Sequence, residues 1–220
     1  SSTLIDVVVR TDQEVLDCVL GEEGILEGAS PGTLVLLHST IRPTTTRQVA
    51  QAAADKRVYV IDACMTGVPS VARDGGLTFL IGGQKALFNR AKPHLLKMGK
   101  AAIYMGPLGS GNVTKLIKNL VTASEALIIY EAIQIGKAAG IDYRAALELM
   151  KQTQSEPFLN RWETRFDISG SELEFNSGAN LYDKDLPLAA ELGKALGAEI
   201  PVTEELARLG IRLSGGKLAV

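Results

Sequence analysis

The sequence predicts an α/β protein: a mostly parallel sheet covered by helices on both faces, followed by an all-α half that a long helix joins to it. Three observations predict this class. Between residues 4 and 106, short, near-continuous apolar runs rich in β-branched residues alternate with helical patterns, as strands buried on both faces require. After Gly111 the strand patterns stop. At the joint, "GSGNVTKLIKN" (109–119) places two glycines, then a lysine four residues past the second, at the head of a long apolar helix.

The elements follow in order. "LIDVVV" (4–9) reads as a strand, "DQEVLDCVL" (12–20) as a helix and "TLVLLHS" (33–39) as a strand. A helix then opens around Pro43, a residue suited to a first turn. Strands are expected at "RVYVID" (57–62), "LTFLIGG" (77–83) and "AAIYMG" (101–106), with a helix over 84–98 before the last. Between two of them, "DACMTGVPSVARDGG" (62–76) leaves the strand end as a connection, and fourteen residues (63–76) between strands is long for a compact domain. From Asn112 a helix runs to Ala139 and stops at Gly140. At 1.5 Å per residue it spans roughly 42 Å, enough to link two domains. Helices over 143–153, 183–197 and 203–213 complete the chain, so the expected domains are 1–110 and 111–220.

Composition narrows the function classes. With 46% hydrophobic and 22% charged residues, the 220-residue chain is an ordinary globular one. A net charge of −2 gives no general attraction to nucleic acid or an anionic membrane. Cys18 and Cys64 make neither a disulfide framework nor a metal-ligand cluster, so no metal is expected and a reduced, cytoplasmic compartment is the default. "SSTLIDVVVRTDQEV" carries no basic leader ahead of an apolar core, so no signal peptide is read there. The most apolar helix, "LVTASEALIIYEAIQIG", contains Glu125 and Glu131 and reads as a buried soluble helix.

Four stretches carry candidate chemistry. "GSGNVTKLIKN" does not satisfy the P-loop spacing Gly-x-x-x-x-Gly-Lys-Ser/Thr, and it is not the dinucleotide fingerprint either, because Thr114 stands where a third glycine is required. Lys115 and Asn119, four residues apart, project from one helix face. A cation near a helix N-terminus is disfavoured, which favours the neutral amine and suits proton transfer near neutral pH. A solvated surface lysine is the plainer alternative. Ser39 and Thr40 follow a strand, where ligands of open α/β sheets bind, or else cap the helix at Pro43. Thr66 and Gly67, in the 62–76 loop, offer a hydroxyl and an approachable backbone N–H to an anion; a plain connection is the alternative. Lys184 falls in the first turn of "YDKDLPLAAELG", again at the unfavourable pole. His38 and His94 are isolated in sequence and receive no role.

Taken in this order, the stretches resemble the β-hydroxyacid dehydrogenases, which include 3-hydroxyisobutyrate dehydrogenase and 2-hydroxy-3-oxopropionate (tartronate semialdehyde) reductase. The family's Ser-Thr, Asp-Ala-Pro-Val-Ser-Gly-Gly, Gly-x-Leu-Thr, Gly-x-Gly-x-x-x-Lys-x-x-Asn-Asn and Lys-Asp-x-x-Leu-Ala patterns read here "HST", "DACMTGV", "GGLT" after Ala72, "GSGNVTKLIKN" and "KDLPLA". The resemblance implies a partial Rossmann-type sheet and an all-α C-terminal domain that pairs between subunits as a homodimer or homotetramer. It implies hydride transfer between NAD or NADP and a small β-hydroxyacid, with Lys115 as general acid/base and Asn119 as its catalytic, substrate-contacting partner. Thr66 and Gly67 would hold the substrate carboxylate; Ser39 or Thr40, and Lys184, would contact the cofactor. Gly109 and Gly111 would turn the chain into the interdomain helix and bring backbone close to the cofactor.

The departures bear on substrate identity. Cys64 replaces a proline, Thr66 a serine, Val68 a glycine and Lys118 the first asparagine, and Arg10 stands where the family has a proline beside the nicotinamide. The family's opening Gly-x-Gly-x-x-Gly turn is not in the sequence. "LIDVVV" matches the family's fourth strand, so roughly 60 further residues, two β-α-β units, are expected ahead of it in a longer polypeptide. A non-catalytic oligomeric scaffold and an imine-reducing relative are the rival readings. Retention of Lys115 and Asn119 argues against the first, and the presence of the lysine argues against the second.

Overall fold

The computed structural model describes residues 2–153, 166–167, 174–175, 181–198 and 200–213. The chain divides into two compact units, Ser1–Leu116 and Ile117–Val220. The division falls inside a helix, a turn and a half beyond the 110/111 joint read from the sequence.

The first unit is built on strands β1 (Leu4–Val7), β2 (Leu34–Leu37), β3 (Tyr59–Thr66), β4 (Leu77–Gly82) and β5 (Gly99–Gly106), lying side by side in that order. β1–β2, β2–β3 and β4–β5 pair in parallel, while β3–β4 is antiparallel. All four residues of β2 are buried, because alternate side chains feed opposite cores. Val35 and Leu37 join Val15 and Val19 of α1 (Asp12–Leu20) and Val49 and Ala53 of α3 (Pro43–Asp55). Leu34 and Leu36 join Phe79, Ile81 and the Phe88, Ala91 and Leu95 side chains of α5 (Lys85–Leu95). Two shorter helices, α2 (Ile25–Gly28) and α4 (Pro69–Arg73), lie in the connections.

Local chemistry fixes the helix starts. Thr11 and Glu14 form a reciprocal capping box at α1. Asp12 accepts the Arg42 N–H at 3.0 Å and the Thr45 hydroxyl at 2.6 Å, which ties α1 to the start of α3. Pro43 is the first residue of α3, as its fixed φ favours.

Two expectations change here. Residues 62–76 are not one long loop: Cys64, Met65 and Thr66 pair with Leu80, Phe79 and Thr78, so β3 continues four residues further and α4 takes up much of the rest. His38 and His94 are not isolated either. The His38 Nδ1 donates to the Ala63 carbonyl at 2.8 Å, and its Nε2 lies 2.7 Å from Asp6 Oδ1. The His94 Nε2 lies 2.7 Å from the other Asp6 oxygen.

Helix α6 (Ser110–Ala138) begins in the first unit and continues into the second. The second unit adds α7 (Tyr143–Thr153), a π-helical turn over Leu181–Asp185, α8 (Leu186–Ala195) and α9 (Pro201–Leu213). A two-residue antiparallel pairing of β6 (Phe166–Asp167) with β7 (Glu174–Phe175) also stands in this half, where the sequence suggested no strand. Its core gathers Ala123, Ala126, Leu127 and Ile133 of α6 around Tyr143, Leu147, Leu186 and Ala190. The opposite side of α6 leaves Ile117, Val121 and Ile128 more than half exposed, so this helix is not buried all round within one chain. Among the described residues, no helix is long and apolar enough to cross a membrane.

Candidate active site

The site begins with how α6 leaves the sheet. After β5, Gly109 takes a φ of +95°, a conformation that favours glycine, and Ser110 starts the helix. Asp62, on β3 and fully buried, accepts the Gly109 N–H at 2.7 Å and the Asn112 N–H at 2.9 Å. A carboxylate thus satisfies two of the helix's orphan donors and lies at its positive pole. Burial pushes the Asp62 carboxyl up from its ordinary value, and these N–H groups oppose that rise.

The glycines have their explanation in this carboxylate. A Cβ at Gly111 would meet the Leu80 carbonyl and come within 2.7 Å of Asp62 Oδ2, and one at Gly82 would also strike the carboxylate. Gly111 is therefore needed for close approach of the helix to the sheet, where the sequence suggested approach to a cofactor.

Asn112 completes this foot. Its Oδ1 accepts the Thr46 hydroxyl at 2.8 Å, and its Nδ2 donates to the Ser39 carbonyl at 3.3 Å and the Cys64 sulfur at 3.2 Å. Asn112, Thr46 and Cys64 are each 0% exposed.

Lys115 is half-buried in the second turn of α6, because the helix starts two residues earlier than its pattern suggests. The helix-pole argument weakens accordingly, since that field fades beyond the first turn. One turn further along, within the second unit, Asn119 is buried and donates its amide to Asp185 Oδ2 at 2.6 Å. The Lys118 ammonium is 3.5 Å from Asn119 Oδ1, and Lys184 Nζ is 3.2 Å from Asp185 Oδ1. Lys184 lies in the π-helical turn ahead of α8, not in that helix's first turn, and the Asp185 carboxylate offsets its charge.

The remaining residues lie at strand ends of the first unit. Ser39 is buried, and its hydroxyl donates to the Val9 carbonyl at 2.6 Å while accepting the Val9 N–H at 3.2 Å. That hydroxyl fastens the β1 and β2 exits together. Thr40, half-buried, is the better placed of the pair to meet a ligand. Thr66 ends β3, and Gly67 follows with a φ of +149°, where a Cβ would press on Leu77 and Val71.

Sequence reasoning quoted Asp62, Asn112 and Asp185 inside its motifs without giving them roles, and it overlooked Thr46. The available signal was a polar residue directly beside the paired glycines and beside Lys184. Chemically, the arrangement offers an amine on a helix that is keyed to the sheet, followed one turn later by an amide whose second N–H can donate. Thr40, half-buried just past β2, offers a neutral hydroxyl that fits hydrogen bonding to the carboxamide or ribose of a nicotinamide nucleotide.

Comparison with known proteins identifies the family. Residues 1–106 match the NAD binding domain of 6-phosphogluconate dehydrogenase, and residues 109–216 match the family described as NAD-binding of NADP-dependent 3-hydroxyisobutyrate dehydrogenase. The chain is 31% identical over 206 residues to an NAD-dependent L-serine dehydrogenase of Pseudomonas aeruginosa, covering 90% of this chain and 69% of that protein. It is 32% identical over 196 residues to a 3-hydroxyisobutyrate dehydrogenase of the same organism, covering 86% and 66%. The crystal structure of a 3-hydroxyisobutyrate dehydrogenase from Salmonella typhimurium superposes with a TM-score of 0.84 at 22% identity, over 97% of this chain and 74% of its own. The chain belongs to the β-hydroxyacid dehydrogenase family of NAD(P)-dependent oxidoreductases.

Proposed function

We propose that the protein interconverts a small β-hydroxyacid, of the 3-hydroxyisobutyrate or tartronate semialdehyde type, and its carbonyl form, with Lys115 as general acid/base. One observation carries the reading: Lys115 and Asn119 stand one turn apart on a helix whose start is bonded to the sheet. The relatives' substrates support the class, since L-serine and 3-hydroxyisobutyrate both carry a hydroxyl on the carbon β to a carboxylate.

NAD or NADP, when bound, supplies the hydride chemistry. Thr40 would hold its nicotinamide–ribose part, and Lys184 is the cation of the second unit assigned to it. Lys115 Nζ takes the substrate's hydroxyl proton in the oxidative direction and returns it in the reductive one. Asn119 holds a substrate oxygen through its second amide proton, while the Thr66 hydroxyl and the Gly67 N–H hold the carboxylate.

The test is Lys115→Ala in the intact enzyme. Turnover should fall about 10²–10⁴-fold, the usual contribution of a positioned acid–base group, with cofactor affinity little changed. A folded, cofactor-binding variant with near-normal turnover would overturn the assignment.

The same reading makes the protein a homodimer or homotetramer. Ile117, Val121 and Ile128 form an exposed apolar stripe along one face of α6, suited to a second copy of the helical unit. Light scattering should find no stable monomer at micromolar concentration, and a monomer there would refute it. Cys18 and Cys64 are both free thiols, which suits a cytoplasmic workplace.

A further inference from the structure

We propose that Asn112 is a positioning residue for Lys115: its buried side chain sets the rotation of α6 on the sheet and thereby aims the lysine. The inference rests on the reading of Lys115 as the acid–base group.

Asn112 receives contacts from three separate elements. Thr46 reaches it from α3, the Ser39 carbonyl from the end of β2, and the Cys64 sulfur from β3. Its own backbone N–H goes to Asp62. Asp62 grips backbone at Gly109 and Asn112, which fixes where the helix begins. The Asn112 side chain projects from the helix surface, so holding it from three sides stops the helix from turning about its axis.

Lys115 follows three residues later on a neighbouring part of the same face. Side chains extend about 5–6 Å from a helix axis, so each 10° of rotation moves a side-chain tip by about 1 Å. A misplacement of about 1 Å at a reacting group can cost on the order of 100-fold in rate. A small rotation therefore matters far more to turnover than to folding. A purely structural role needs only a filled volume; three directional bonds on one amide specify an angle.

The experiment is a double-mutant cycle on turnover in the intact enzyme, with Asn112→Ala, Lys115→Ala and the pair combined. Asn112→Ala should lower kcat about 10–100-fold, with the hydroxyacid KM changing less than about threefold, since the fault lies in orientation. In the Lys115→Ala background the same substitution should lower residual turnover no further, because it acts only through the lysine. Thr46→Val, close in shape and lacking only the O–H donor, should give a smaller loss of kcat with the same silence behind Lys115→Ala. It decides the question if Asn112→Ala does not fold.

Wild-type kcat in both folded variants would overturn the inference, as would an equal fractional loss with and without Lys115. If Lys115→Ala itself turns over normally, the acid–base reading falls and this inference with it. If Lys115→Ala is crippled while Asn112→Ala and Thr46→Val are not, only this inference falls.

Discussion

Asp62, in the first unit, meets the backbone N–H groups of Gly109 and Asn112, whereas Asp185, in the second, meets the side chains of Asn119 and Lys184. Both aspartates are buried, at 0% and 5% exposed, so both need partners. Backbone donors cannot rotate away without moving the helix, which makes the Asp62 contacts part of the scaffold. An asparagine and a lysine carry their own rotamers and can exchange one partner for another. The difference separates a fixed foot, which orients α6, from a set of polar groups able to re-pair with a ligand.

The largest expected effect follows from the fixed foot. Asp62→Ala strands two buried N–H groups, and each unsatisfied group costs about 1–3 kcal/mol. Urea unfolding should report a loss in that range or above, together with lower turnover from a helix no longer held at its start. A loss within about 0.5 kcal/mol, the usual surface value, would mean that the foot is not a scaffold.

This foot also marks where sequence reasoning stopped. The strands and helices were legible because burial imposes a period, and Lys115 with Asn119 was legible because four residues make one turn. The paired glycines were visible, but their purpose was not. Gly111 is small because the Leu80 carbonyl and Asp62 press on it, and those partners lie 31 and 49 residues upstream. Asn112 depends on Ser39, Thr46 and Cys64 in the same way. Asp6 joins His38 and His94 across separations of 32 and 88 residues, so two histidines that are neighbours in space read as strangers in the chain. β3 was cut short for a related reason: its last residues are a strand only because an antiparallel partner, β4, lies beside them. Local pattern reports burial and turns; it does not report which distant side chain a buried polar group needs.

A smaller effect is expected in the second unit. Asp185→Asn keeps the shape but removes the charge that faces Lys184 and the full acceptor strength offered to Asn119. Because both partners can reorient, the stability loss should stay near that of one hydrogen bond, about 0.5–1.5 kcal/mol, and below that of Asp62→Ala. The functional effect should be clearer than the structural one. A looser Asn119 should raise the hydroxyacid KM by about two- to tenfold, the same energy read as affinity. Steady-state kinetics beside urea unfolding checks both, and a variant less stable than Asp62→Ala would erase the contrast between the two regions.

The smallest effect is a pH signature that distinguishes two aspartates within the first unit. Hydrogen bonding to His38, the largest influence, holds the Asp6 carboxyl below its ordinary value of 3.8 against the opposing effect of burial, and His94 adds to the lowering. Burial instead holds the Asp62 carboxyl above 3.8. The signs are opposite. Asp6 binds its proton less readily in the folded protein than in the unfolded one, so its stabilisation is present above pH 3.8 and is lost as pH falls through its lower folded value. Asp62 binds its proton more readily when folded, so its titration adds stability as pH falls through its raised value and stops adding near pH 3.8. The two windows therefore meet at the ordinary carboxylate value without overlapping. Thermal midpoints of wild type against Asp62→Asn should diverge in the wild type's favour as pH falls from neutrality towards the ordinary carboxylate value of 3.8. Against Asp6→Asn, the wild type's advantage should shrink only below that window. Because Asp6 is partly exposed, its effect should be the weaker of the two and should diminish further with added salt. An Asp62→Asn variant whose stability follows the wild type across the whole range would show that its carboxylate carries no burial penalty, and the contrast with Asp6 would disappear.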